Sequence, residues 1–196
     1  MAVATPNRLR SRSGKLRLTE EEFAVWWDED TRAAFVGGEV ILLSPESVVD
    51  ERIRWFIGSV LGIYVTHRGV GEVFGPNLQA RLRVELRRMP DLVFVAQASA
   101  HPLHESYLEG APDLVMEIVS PDSVARDDCE KYLEDERAGV RECWIVDLQS
   151  KRVEFYGLEQ GRYIAQKQKR GAYHSKAGGV RGVVICAFSS SAGRGF

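Results

Sequence analysis

The sequence has few cysteines, no long apolar run and almost no excess of charge. Its three cysteines, Cys129, Cys143 and Cys186, are an odd number without CxxC spacing, which argues against a disulfide framework and a zinc ribbon. No apolar run reaches the roughly 20 residues of a membrane helix, and the N-terminus lacks the apolar core of a signal peptide. These absences predict a cytoplasmic protein without a membrane partner.

The formal net charge of -2 gives no general positive field of the kind that drives non-specific binding to nucleic acid. Five basic residues precede the first acid: Arg8, Arg10, Arg12, Lys15 and Arg17. We predict a disordered basic tail over residues 1–17, one folded domain over 18–188 and a flexible tail over 189–196. The HExxH, GxSxG, Walker and Rossmann motifs are all missing, so the corresponding zinc, hydrolase and nucleotide sites have no signature.

The N-terminal part predicts a helix followed by a hairpin. Thr19 precedes three acids, as a helix cap does, and the following helix should carry Phe23, Trp26 and Trp27. Residues 35–43 form two β-runs around Gly37-Gly38, a hairpin signal. The fold is therefore expected to open with a helix and a hairpin.

Apolar periodicity predicts an α/β arrangement for the rest of the domain. Ser47 and Asp50 have capping-box spacing, and a helical stripe follows that Gly69 should end: Ile53, Phe56, Ile57, Val60, Leu61, Tyr64 and Val65. Residues 71–74 and 78–84 are expected to form an antiparallel meander. Two nearly continuous apolar runs, 90–95 and 112–119, are typical of buried strands. A helix over about 124–138 and strands over 142–147, 152–156, 163–168 and 183–187 complete the pattern.

Glu117 is the most unusual residue, because it lies inside the apolar run Leu-Val-Met-Glu-Ile-Val. Burying a carboxylate costs several kcal/mol unless it is paired, protonated or bound to a metal. Side chains alternate along a strand, so Asp113, Val115, Glu117 and Val119 should share one face. Asp113 and Glu117 are about 13 Å apart on an ideal strand, too far to bind one ion directly. Glu117 therefore needs a partner from another strand.

Asp91 is the best candidate for that partner, since it opens the preceding β-run and neighbouring strands lie about 4.8 Å apart. Two converging carboxylates repel each other unless a cation lies between them, and hard oxygen ligands suit Mg²⁺ or Mn²⁺. Such an ion would support phosphodiester hydrolysis. Structurally, Asp91 could instead be a strand-entry turn residue and Glu117 a salt-bridged acid.

Other polar residues have two interpretations each. Lys131 could reach the charge that develops on a phosphate, or it could pair with Asp127 at i,i+4 on a solvated helix face. Asp50 could face the core or cap its helix, and capping is the preferred interpretation. Glu39 could point into a cleft, although an exposed hairpin acid is the more common case.

An ordered series of short motifs runs through most of the chain. They are Gly38-Glu39, Ser44-Pro45, Pro90-Asp91, the run from Pro112 to Pro121, Arg126-Asp127, Lys131, Ala138-Gly139-Val140 and the run from Cys143 to Asp147. In this order the motifs resemble the Uma2 family of endonucleases, within the PD-(D/E)XK superfamily, over roughly residues 35–188.

The resemblance implies a restriction-endonuclease-like core, a mixed sheet flanked by helices, in which Asp91 and Glu117 hold Mg²⁺ or Mn²⁺. The superfamily pattern places a lysine two residues after the acid, where this chain has Val119. Lys131 in the next helix would then be the relocated lysine. Asp50 stands where the family often has histidine. Asp113, Ser120, Asp127, Asp50 and Glu39 would lie around the site without binding the metal.

The function predicted from these features is metal-dependent hydrolysis of phosphodiester bonds in DNA, with Asp91, Glu117 and Lys131 as the catalytic set. A homodimer would suit cleavage of two strands. The low net charge favours a different possibility, a catalytically inactive member that binds or assembles. A metal-dependent hydrolase of another phosphorylated substrate also agrees with these residues.

Overall fold

The computed structural model describes residues 16–28, 30–43, 47–99, 102–119, 125–148, 150–168, 172–177 and 184–186, with the backbone alone at 125–129, 172 and 184–186. Residues 1–15 of the predicted basic tail, the predicted tail 189–196 and Ser120 lie outside this part. Leu16 and Leu18 pair with the hairpin, because the Val40 amide donates to the Leu16 carbonyl and the Leu18 amide to the Gly38 carbonyl. The described structure thus begins two residues before the predicted domain start.

The predicted N-terminal helix and hairpin are both present. Helix α1 (Glu20–Trp26) is capped by Thr19, whose hydroxyl accepts from the Glu22 amide at 3.2 Å while the Glu22 carboxylate accepts from the Thr19 amide at 2.8 Å. Strands β1 (Ala33–Val36) and β2 (Glu39–Leu42) pair antiparallel around Gly37 and Gly38. Both glycines have positive φ, 53° and 82°, as a tight hairpin turn of this kind requires.

The long helix α2 (Val48–Arg68) begins at the predicted Ser47 and Asp50 capping box and ends at Gly69, which has a φ of 61°. Its buried face carries Leu61 and Val65. The predicted stripe was partly wrong, because Phe56 and Val60 are exposed. The helix carries apolar residues on more than one side, and only the side toward the sheet is covered.

The strands of the middle segment belong to two sheets. They are β3 (Gly71–Phe74), β4 (Gln79–Arg83), β5 (Leu86–Arg88), β6 (Leu92–Ala96), β7 (Tyr107–Glu109) and β8 (Leu114–Val119). The predicted meander of β3 with β4 was wrong: β3 pairs with β6, whereas β4 pairs with β5 and β7. The turn after Phe74 therefore carries the chain from one sheet to the other.

The C-terminal part begins with helix α3 (Ala125–Ala138), which Gly139 ends with a φ of 90°. Strands β9 (Glu142–Asp147), β10 (Arg152–Glu159), β11 (Arg162–Ala165), β12 (Ala172–His174) and β13 (Val184–Cys186) follow. The largest sheet has six strands in the order β11-β10-β9-β8-β6-β3. Within it β8 and β9 are parallel, and α3 forms the connection between them.

The six-stranded sheet has a core on each face. On one side Leu61 of α2 packs with Phe94, Met116 and Trp144. On the other side Val115 packs with Cys143 and with residues from β4, β5 and α3. Alternate residues of β8 therefore face opposite cores, as the pleat of a strand requires. Among the helices of the described residues, none has the length and apolar character needed to cross a membrane.

Candidate active site

Glu117 lies on β8 and faces α3. Val115, two residues earlier, is in the core beneath α3, so strand alternation puts Glu117 on the same side. Lys131 comes from the first half of α3, and its Nζ lies 3.7 Å from a Glu117 carboxylate oxygen. The structure thus brings together the acid and the lysine singled out in the sequence, across the β8 to α3 connection.

Asp91 lies beside Glu117 on the neighbouring strand. Leu92 pairs with Met116 in the antiparallel register of β6 and β8, and extending this register by one residue sets Asp91 opposite Glu117. The Ile118 amide donates a 2.7 Å hydrogen bond to Asp91 Oδ2, which fixes this carboxylate against β8. The Arg32 guanidinium lies 4.0 Å from the other oxygen.

The environment of Glu117 disfavours its charged form. Its side chain is only 17% exposed. Burial is the largest influence and raises the pKa of Glu117 to about 8; the Lys131 charge opposes this, while the negative charges of Asp91 and Asp135 add to it. The carboxyl is therefore protonated in much of the neutral range unless a cation joins the site. Perturbed acids in a pocket are typical of functional sites.

Asp135 is a member of the same cluster that the sequence analysis missed. It lies one helical turn after Lys131 and is 3% exposed. Burial raises the pKa of Asp135 to about 7, against the effect of the Arg88 charge. The i,i+4 spacing from Lys131 could have identified it, because residues four apart share a helix face. The sequence analysis instead paired Lys131 with Asp127, one turn earlier.

A small pocket opens between β8, β9 and α3. Its volume of about 10 Å³ is close to the space occupied by one water molecule. The lining residues are Glu117, Val119, Lys131, Tyr132, Asp135, Cys143 and Ile145. Two buried acids and one ammonium group thus converge on a space large enough for a single small group.

One comparison with known proteins gives the family of the chain, and a second gives its fold. The model of the Uma2 family, described as "Putative restriction endonuclease", matches residues 20–182. The chain belongs to the Uma2 family. The fold is similar to that of a crystal structure from Anabaena variabilis described as a "putative nuclease belonging to DUF820", with a TM-score of 0.67, 18% identity, and 81% of this chain and 89% of that chain covered. No curated protein is significantly similar to the sequence.

The mixed α and β architecture of this Uma2 protein agrees with the restriction-endonuclease-like fold predicted from the sequence. The order of strand β8, helix α3 and strand β9 is what puts Glu117 and Lys131 together. Neither the family nor the fold names the metal ligands or the catalytic residues, so their assignment depends on the positions of the side chains in the site.

The remaining predicted site residues lie elsewhere or outside the described part. Asp113 precedes β8, where its carboxylate accepts from the Ala96 amide at 2.8 Å and the Ser99 hydroxyl at 2.6 Å and lies 2.9 Å from Arg141. Those contacts fix the beginning of β8, at the far end of the strand from Glu117. Ser120 and the side chain of Asp127 lie outside the described residues.

Asp50 and Glu39 have positions of their own. Asp50 is buried at the start of α2, where its carboxylate accepts from the Ser47 amide at 3.1 Å, so the capping interpretation is the one the contacts support. Glu39 is half-buried in the hairpin. Its backbone is the strand partner of Val36, and it also forms an isolated antiparallel β-bridge with the backbone of Arg17.

The buried acid in the pocket should make stability depend on pH. Because the pKa of Glu117 is raised from 4.5 to about 8, the folded state holds a proton that the unfolded state releases across this window. The free energy of unfolding should therefore fall as pH rises from about 4.5 to 8. We expect Glu117→Gln to stabilise the metal-free protein by about 1–3 kcal/mol near pH 8 and by little near pH 5.

Denaturant unfolding with a chelator present measures this effect. The same change at the exposed Glu105 is the matched control and should leave the free energy of unfolding unaltered at both pH values. An equal effect of Glu117→Gln at the two pH values would contradict the raised pKa.

Proposed function

We propose that this protein is a divalent-metal-dependent endonuclease that hydrolyses phosphodiester bonds in DNA. The observation that carries the proposal is the convergence of an acid pair and a lysine: Asp91 lies opposite Glu117 in register, and the Lys131 ammonium lies 3.7 Å from the Glu117 carboxylate. Membership in a family described as putative restriction endonucleases supports a nuclease. Two acids and a lysine are the functional groups that this chemistry requires.

The acid pair of Asp91 and Glu117 fits Mg²⁺ or Mn²⁺. Asp91 and Glu117 would be the protein ligands, and their carboxylate oxygens are the hard donors that both ions prefer. Within the described residues, no group of three His, Cys, Asp or Glu side chains could hold a metal ion. When bound, the ion would polarise a phosphate oxygen and lower the pKa of a bound water.

The side chains around the pocket have distinct roles in this proposal. The Lys131 ammonium group would stabilise the negative charge that develops on the phosphate, and its partial burial strengthens that effect. The hydrogen bond from the Ile118 amide orients Asp91, so that the two carboxylates are held by the backbone of one strand. Tyr132 and Cys143 also line the pocket.

The charge distribution suggests how a phosphate would be attracted. A net charge of -2 gives no overall attraction for DNA, so binding must depend on local cations. Arg32 lies next to Asp91, and the charges of Lys131 and Arg88 both act on the pocket acids. Arg32 and Lys131 would favour a phosphate group beside the acid pair, whereas Arg88 is buried and pairs with Glu134.

A catalytically inactive module is the second candidate. It is favoured by the net charge of -2, which gives no overall attraction for DNA. A metal-dependent hydrolase of another phosphorylated compound would use the same residues. Cleavage of plasmid and single-stranded DNA with Mn²⁺, compared with cleavage of small phosphate esters, distinguishes the three.

We expect Mn²⁺ or Mg²⁺ at millimolar concentration to raise the melting temperature of the wild-type protein. A ligand that binds only the folded state stabilises it by about 2.7 kcal/mol at a concentration 100 times Kd. For a domain of this size, each kcal/mol corresponds to a rise of about 2–4 °C. The metal-induced shift should disappear in Glu117→Gln and in Asp91→Asn.

Thermal melts with and without metal measure this shift in each variant. Glu105→Gln, which changes an exposed acid, should keep the full shift. A wild-type melt that neither metal moves would remove the main support for the metal site, whereas a shift that survives in Glu117→Gln would locate the metal elsewhere.

A further inference from the structure

The outer side of helix α2 carries an apolar surface that belongs to none of the cores formed by the described residues. We call it the α2 outer stripe; it consists of Val48, Val49, Trp55, Phe56, Val60 and Ile63. Trp55, Phe56 and Ile63 are 72%, 66% and 73% exposed. At 100° per residue these six side chains fall on one arc of about 140°, on the side away from Leu61 and Val65. The helix thus has two apolar faces and buries only one of them.

The stripe is too large to be an ordinary scatter of surface residues. The two aromatic side chains expose on the order of 250 Å², and the four aliphatic ones add a similar area, so the stripe presents about 500 Å². This area is comparable to the largest apolar patch of a typical monomer, about 300–600 Å², which is often a functional surface. With its polar neighbours the face approaches the roughly 800 Å² per partner that a stable dimer buries.

The polar residues of the stripe restrict the kind of partner. Arg52 and Ser59 lie on the same arc between the apolar side chains, and no acid lies there. A surface with a single cation offers little to a strongly charged partner. The α2 outer stripe can, however, face the same stripe of a second copy, because the Arg52 side chains of two antiparallel helices would lie on opposite sides of the twofold axis, well separated from each other.

The order of the side chains along α2 is suited to a twofold axis. Trp55 and Phe56 lie at the middle, Val48 and Val49 lie seven residues before them, and Ile63 lies seven residues after Phe56. In an antiparallel pair the aromatic residues of the two copies would meet at the axis, and each N-terminal valine pair would meet Ile63 of the second copy. Large aromatic residues at the centre of an interface are typical of strongly bound pairs.

We propose that the α2 outer stripe is the interface of a homodimer, in which two α2 helices pack antiparallel around Trp55 and Phe56. The interface is separate from the pocket at Glu117, so the dimer does not depend on the proposed nuclease activity. Its two pockets would be related by the same twofold axis, which gives a symmetric pair of sites.

Sedimentation of the full chain from low to high micromolar concentration tests the proposal. We expect the wild type to sediment at twice its monomer mass of 22.0 kDa. Phe56→Glu and Ile63→Glu should each raise the dimer dissociation constant by about 100-fold or more, because each places a charge in an apolar contact. Both side chains are exposed in the monomer, so these variants should keep the wild-type circular dichroism spectrum.

Val25→Glu is the matched control, because Val25 is an apolar residue of α1 that is also highly exposed. It should leave the dimer intact. A wild type that remains a monomer at high micromolar concentration overturns the proposal, whatever else covers the stripe. A dimer that survives both Phe56→Glu and Ile63→Glu overturns it as well.

Discussion

Replacing Lys131 with methionine is expected to lower the rate of metal-dependent DNA cleavage by about 100-fold or more. The ammonium group lies 3.7 Å from Glu117 and is partly buried, so its charge acts on the pocket through little water. Methionine keeps the unbranched apolar stem of the side chain and removes the terminal ammonium group with its charge. The loss should therefore appear in turnover at saturating metal.

The competing interpretation of Lys131 is an ordinary surface pair with Asp127. In that case Lys131→Met would change stability by about 0.5 kcal/mol or less and would leave turnover unaltered. If Lys131 acts on the phosphate, the same change should instead lower turnover and leave metal binding nearly intact, since the charge of Lys131 opposes both the proton and a metal ion at Glu117. Metal titrations of each variant separate metal binding from turnover.

Two controls complete this experiment. Lys167→Met makes the same chemical change at an exposed position and should leave cleavage near the wild-type rate, as should Asp127→Asn. Equal turnover of the wild type and Lys131→Met would remove Lys131 from the site. Absence of metal-dependent cleavage in every form would favour the inactive module.

Glu142→Ala is expected to lower the free energy of unfolding by about 3–5 kcal/mol. Glu142 is 1% exposed at the start of β9, next to the core around Trp144. Its carboxylate accepts hydrogen bonds from five donors: the Trp144 indole, the Tyr173 and Ser175 hydroxyls, and the Lys176 and Ala177 amides. Alanine would leave these donors buried without their acceptor and would also create a cavity.

Chemical denaturation measures the loss, which is a large part of the 5–15 kcal/mol typical of a whole domain. Glu142→Gln keeps the shape but brings amide hydrogens toward donors, so its loss should be intermediate. Glu154→Ala, at an exposed position on the adjacent β10, should cost about 0.5 kcal/mol or less. If Glu142→Ala lowers the free energy of unfolding by less than about 1 kcal/mol, the hydrogen bonds of Glu142 do not hold residues 173–177 in place.

Local chemistry made part of the fold predictable. The capping boxes at Thr19 and Ser47 and the glycines after α2 and α3 correctly marked the helix ends, because caps depend on neighbouring residues alone. The Gly37-Gly38 hairpin was predictable for the same reason. Strand pairing was harder: β3 and β4 follow each other in the chain yet join different sheets. That choice depends on packing between distant segments.

Helix α2 illustrates a different limit. Phe56 and Leu61 are both apolar, and periodicity cannot tell which side of a doubly apolar helix faces the sheet. Short strands were also missed, since β5 and β7 have only three residues each and contain charged side chains, Arg87, Arg88 and Glu109. Their positions are set by the strands on either side of them.

The candidate site was predictable to different depths. Glu117 was conspicuous as an acid in an apolar strand, and strand spacing alone suggested Asp91. Lys131 depended on the family resemblance, because a surface pair with Asp127 was an equally good local interpretation. Asp135 was missed, since its burial follows from how α3 packs against β8 and β9.

The acid pair and the lysine of the candidate site are positioned independently, the acids by the pairing of β6 with β8 and the lysine by helix α3. The carboxylates of Asp91 and Glu117 are positioned by a hydrogen-bonded ladder, in which a slip of one residue would turn Glu117 to the opposite face. The ammonium of Lys131 is positioned by the rotation of α3 about its axis, where one residue corresponds to about 100°. A single insertion early in α3 would therefore separate the lysine from an acid pair that stays intact.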